Sequence, residues 1–72
     1  MKREQIAITT PFIKLDALLK FCGAAETGGM AKEMVVAEEI KVDGEICLLR
    51  GKKICPGMCV EAEGIIYEVT GQ

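Results

Sequence analysis

The chain has 72 residues, half of them apolar and only 4% aromatic, with nine Lys/Arg against eleven Asp/Glu for a net charge of −2 and no histidine. That size fits one domain spanning residues 1–72 with an aliphatic and methionine core, and the balance of apolar and charged residues excludes a disordered tail. No apolar run approaches the ~20 residues that cross a bilayer, and "MKREQIAITT" lacks the apolar stretch of a signal peptide, so a cytoplasmic protein with no membrane partner is expected.

In chain order, Ile6 and Ile8 alternate with Ala7 and Thr9, a short strand that ends before Pro11. Leu15, Leu18, Leu19 and Cys22 then fall on one helical stripe that stops at Gly23, with Asp16 in the first turn and Lys20 near the last. Residues 23–29, "GAAETGG", form a connector, and Thr27 is the N-cap of a second helix over 28–38 whose inner face carries Ala31, Met34, Val35 and Glu38. "IKVDGEI", residues 40–46, reads as a hairpin turning on Asp43-Gly44, a pair suited to the positive φ angles of a type I′ turn. Pro56-Gly57 marks another turn. Residues 59–63 alternate again, Glu63-Gly64 offers a tight turn, and "IIYEV" (65–69) is the closing strand. The order β-α-α-β-β-β-β predicts an α+β fold, two short N-terminal helices on a small, mostly antiparallel sheet.

Charge is distributed unevenly. Arg50, Lys52 and Lys53 crowd one loop, and no Lys or Arg follows Lys53, whereas Glu61, Glu63 and Glu68 do. A local cation cluster on an acidic body is what phosphate recognition uses, because each neutralised phosphate releases counterions. The exposed N–H groups of a helix starting at "TGG" offer a second phosphate-sized feature.

Absence of histidine removes the commonest general base and the commonest metal ligand, and the acids are scattered, so no enzyme activity, metal or cofactor is expected. Cys55 and Cys59 in "CPGMC" have a spacing seen in some zinc sites. However, Cys22 completes a helical stripe and Cys59 lies in an alternating strand, so both read as small buried hydrophobes and free thiols. Met30, Met34 and Met58 read as core gap-fillers.

Three stretches taken in order, "KLDALLKFCGAAETGGMAKEMV", "IKVDGE" and "RGKKICPG", resemble the S-four (alpha-L) RNA-binding domain, in its stand-alone bacterial version of about seventy residues. The resemblance covers Ile13 to about Ala62. It implies that the helix pair and the adjoining loop grip RNA. Carried over by position, Lys14 opens the first helix, Thr27, Gly28 and Gly29 begin the second, Lys32 follows Ala31, and Arg50, Lys52 and Lys53 form the basic loop before the Pro-Gly turn.

The function implied is non-catalytic binding of structured RNA, ribosomal or tRNA-like, through backbone phosphates, by a monomer that works with the ribosome or another protein. Few aromatics are available for base stacking, which favours shape and backbone readout. The alternative is a protein-interaction adaptor that keeps the fold with weakened RNA binding. Its support is the acidic balance, Gly28 where the family often carries arginine, and the apolar pair Leu48-Leu49.

Overall fold

The computed structural model describes residues 2–71 and is an α+β fold. Strand β1 (Lys2–Ile8) and the short β2 (Ile13–Lys14) precede helices α1 (Leu15–Phe21) and α2 (Gly28–Val36). Strands β3 (Lys41–Val42), β4 (Glu45–Ile46), β5 (Lys53–Ile54), β6 (Cys59–Ala62) and β7 (Ile65–Gly71) follow.

The main sheet runs β1-β7-β6-β3-β4 and is mixed. Its longest ladder joins the two ends of the chain in parallel, from Lys2↔Ile65 to Ile8↔Gly71. The remaining pairs, β7–β6, β6–β3 and β3–β4, are antiparallel. Two expectations therefore change: the helices are inserted between paired strands, not N-terminal, and the sheet expected to be mostly antiparallel is mixed, with its longest ladder parallel. Alternation along a strand reports which residues are covered but carries no information about strand direction. The β1–β7 pairing also explains why β1 extends back through the charged residues Lys2, Arg3 and Glu4. Arg3 bridges to Glu68 at 3.8 Å and the Gln5 amide donates to Glu68 at 3.2 Å, tying β1 to β7.

Both anticipated helices form, with their ends adjusted by local geometry. The stripe of α1 buries Leu15, Leu18 and Leu19 completely, and each such side chain contributes roughly 1.5–3 kcal/mol of apolar burial. Helix α2 stops at Val36, two residues short of the expected end. Ala37 caps it and Glu38 turns left-handed at φ 62. The Glu38 N–H then donates to the Val35 carbonyl at 3.2 Å and the Glu39 N–H to the Met34 carbonyl at 3.1 Å, the paired closure of a Schellman motif. Glu38 is thereby exposed and leaves the Ala31–Met34–Val35 face.

Asp43 (φ 51) and Gly44 (φ 87) adopt the two positive angles of a type I′ turn between β3 and β4. The Asp43 side chain also accepts from the Cys59 N–H at 2.9 Å while its own N–H donates to the Cys59 carbonyl at 2.8 Å, so the turn is pinned to β6. Glu63-Gly64 makes the same kind of turn between β6 and β7. At Pro56-Gly57 the Met58 N–H reaches the Cys55 carbonyl at 3.1 Å, with Gly57 at φ 97, a type II turn.

The core lies between the helices and one face of the sheet: the α1 leucines, Ala31 and Val35 meet Val42, Val60, Ala62, Tyr67 and Val69, with Ile40 and Ile54 fully covered. Among the described residues no polar or charged side chain is buried. Cys59 departs from its expected place. Along β6 the buried positions are Val60 and Ala62, so Cys59 shares the outer face with Glu61 and is only half-buried. Cys22 is half-buried at the core edge, Met34 is in the core, and Met30 is exposed.

Candidate nucleic-acid interface

The cation loop is attached directly to the start of α1. Strands β2 and β5 pair antiparallel as Ile13↔Ile54 and Lys14↔Lys53. Past β2 the Leu15 N–H donates to the Lys52 carbonyl at 2.9 Å and the Asp16 N–H to the Arg50 carbonyl at 3.0 Å. Lys14 occupies the N-cap of α1 but offers no side-chain cap, so loop carbonyls satisfy N–H groups that a helix start leaves open. This arrangement brings Lys14, Arg50, Lys52 and Lys53 to the same end of one helix. Two-residue strands carry too short a pattern to be read from alternation, and β2–β5 was invisible in the sequence for that reason.

Lys14 and Lys53 are exposed cross-strand neighbours of like charge, an arrangement that costs stability. The Lys53 ammonium lies over the Phe12 ring, 4.9 Å from its centroid, which holds part of that charge in place. Among the described residues the ion pairs within 4.0 Å are Lys2–Glu4 and Arg3–Glu68, so Lys14, Lys32, Arg50, Lys52 and Lys53 have no internal counterion.

Lys52 does not stand with its neighbours. Continuing the β2–β5 register places it opposite Leu15, on the covered side shared by Ile13 and Ile54, whereas Lys14 and Lys53 point the other way. It is half-buried, and it lines a groove with Leu48 and Leu49.

The second group of expected residues gathers at the start of α2. Thr27, extended at φ −137 and ψ 165, accepts from the Met30 N–H at 3.1 Å through its hydroxyl and is the N-cap anticipated. Gly28 and Gly29 are exposed. Neither has a positive φ, a Cβ on Gly28 would meet nothing within 4 Å, and one on Gly29 would meet only the Thr27 hydroxyl at 3.8 Å. The backbone therefore does not require glycine at either position. Lys32 is exposed and lines a shallow groove with Gly29, Glu33, Val36 and Ala37. This group and the α1 group are joined through the packing of α1 on α2, and among the described residues no hydrogen bond or ion pair links their side chains.

Among the described residues no three His, Cys, Asp or Glu side chains converge on a metal-sized site, and all four cysteines are free. The Cys22 thiol and Tyr67 hydroxyl lie together at the core edge, and burial pushes both above their ordinary values. Among the described residues no helix is long and apolar enough to cross a membrane.

The family model for the S4 domain matches residues 6–70. The chain belongs to the S4 domain family. It is also 39% identical over 59 residues to the probable ribosome maturation protein RlbA of Bacillus subtilis (strain 168), an alignment covering 82% of this chain and 83% of that relative. The S4 match begins at Ile6, so it takes in the last three residues of β1 as well as the helices and hairpins that carry the sequence resemblance.

Proposed function

We propose that this S4 domain is a non-catalytic module that binds structured RNA, ribosomal or tRNA-like, by its phosphate backbone, and that it acts in ribosome maturation in the cytoplasm as a monomer. The observation that carries the reading is the Lys14–Lys53 pair: two exposed cations held side by side, at a cost in stability, with no acid to neutralise them. An external polyanion offsets that repulsion, and Arg50, on the same loop, adds a third charge. Lys52 contributes from the margin, because half of it is covered.

The start of α2 supplies the second contact. Exposed N–H groups of Gly28 and Gly29 at the positive end of the helix, with Lys32 one turn on, donate to a phosphate without a side chain intervening. Ribosome maturation enters the proposal through the resemblance to the Bacillus subtilis relative.

The experiment is a titration of the full chain with a structured ribosomal RNA fragment and with tRNA at several salt concentrations. Binding through roughly three to five phosphates predicts a log–log salt slope of about −3 to −4.5. No association with either RNA at low salt would refute the reading.

A further inference from the structure

Three apolar side chains left out of the core follow closely in sequence: Ile46 is 50% exposed, Leu48 62% and Leu49 65%. They line one groove together with Val42, Glu45 and Lys52. Strand β4 ends the sheet, so one of its edges has no partner strand among the described residues. In the two-residue hairpin Val42 and Glu45 are the hydrogen-bonded pair, and the Cys47 N–H reaches the Ile40 carbonyl at 3.0 Å. Ile46, between them, therefore directs its N–H and C=O outward along the open edge. The opposite edge strand, β1, protects itself with exposed Lys2, Arg3 and Gln5. At β4 the chain runs instead into two exposed leucines.

We propose that the β4 edge is a docking site for an extended segment of another protein in which apolar residues alternate with Asp or Glu. The edge N–H and C=O extend the sheet onto the segment, and Ile46, Leu48 and Leu49 receive its apolar side chains. Charge selects the rest. Lys52 lines the groove and Lys41 stands opposite Ile46 across the hairpin, neither of them in an ion pair among the described residues, against the single lining acid Glu45. A second copy is a poor occupant, because a symmetric pairing would set these cations against themselves. RNA gains little from aliphatic side chains, since bases stack on aromatic rings and guanidinium planes. The proposal does not rest on the Lys14–Lys53 pair that carries the RNA reading: Lys52 faces this groove, and Lys14 and Lys53 point away from it.

The test titrates the isotope-labelled full chain with a short synthetic peptide alternating valine and glutamate, and with the same peptide carrying lysine for glutamate. Backbone amide shifts are followed by NMR. The glutamate peptide is expected to shift residues 45–49 and Lys52, and the lysine peptide to leave them unmoved. Leu48→Ser combined with Leu49→Ser, and separately Lys52→Glu, should each weaken the glutamate peptide about tenfold or more, while Lys53→Glu leaves it unchanged. All these residues lie outside the core, and an unchanged thermal midpoint confirms that each variant is folded. Equal binding of both peptides overturns the proposal, as do shifts confined to other residues. Concentration-dependent broadening of 45–49 without peptide assigns the edge to a second copy. Shifts of 45–49 with structured RNA but not with the glutamate peptide assign it to RNA. Either of these results also overturns the proposal.

Discussion

Lys14 and Lys53 stand directly opposite each other across β2 and β5, and neither takes part in an ion pair among the described residues. A protein selected for stability alone would place an acid at one of these positions. Lys14→Glu should therefore separate stability from binding. It replaces a repulsive cross-strand pair with an attractive one, keeps Lys53 over Phe12, and puts a negative charge at the start of α1. Each effect is favourable, for a gain of about 0.3–1 kcal/mol, read as a higher thermal midpoint. The same change should weaken structured RNA and flatten the salt slope by about one. An unchanged affinity and slope would show the pair to be solvated surface.

Gly29 gives a second separation. Its backbone is unstrained and a Cβ fits, so Gly29→Ala should stabilise α2 by roughly 0.5–1 kcal/mol and leave the backbone N–H groups available to RNA. Gly29→Asp fits equally well but sets a carboxylate where the phosphate is proposed. It should match or exceed the alanine variant in thermal midpoint and bind RNA less tightly. Equal RNA affinity for the two variants would remove the α2 start from the interface.

Glu38 closes the Schellman motif in a left-handed conformation that side chains resist. Glu38→Gly should raise stability by about 0.5–1 kcal/mol in chemical denaturation, with RNA affinity unchanged because the residue lies at the far end of α2 from Thr27. A loss of stability would mean the turn relies on the glutamate side chain.

Cys22 and Tyr67 set an alkaline limit. Burial favours the neutral form of both, so the folded protein holds their protons to higher pH than the unfolded chain does. Their contribution is complete below the ordinary thiol range and is lost as pH rises through it, from about pH 8.5, and then through the phenol range near 10. Thermal midpoints should fall across that window, less steeply for Cys22→Ala. A decline equally steep in Cys22→Ala would exclude the thiol as a cause.

The cysteines give the last test. With four free thiols and no converging donor set among the described residues, reduced protein in excess chelator should keep its circular dichroism spectrum and thermal midpoint. Unfolding by chelator, or one equivalent of bound zinc, would establish a metal centre.

Much of the local structure could be read directly from residues. The i, i+3, i+4 spacing of Leu15, Leu18 and Leu19 specifies a helix face, Thr27 specifies a cap, and Asp43-Gly44 and Glu63-Gly64 specify turns, because each depends on a few neighbouring φ angles and side chains. Cys59 was misplaced because one strand's alternation gives two faces without saying which is covered, and Val60 and Ala62 claimed the inner one. The end of α2 was missed because Glu38 takes a left-handed conformation that glycine more often occupies.

The sequence by itself determined the α+β class, the two helices, the tight turns and the family, all properties of short windows or of residue types in order. Tertiary structure decided that the first and last strands run parallel, that β2 and β5 pair across forty residues of chain, and that adjacent Lys52 and Lys53 face opposite ways. Those outcomes rest on contacts between residues far apart in sequence, where hydrogen-bond register and competition for the covered face, not local propensity, set the direction of each side chain.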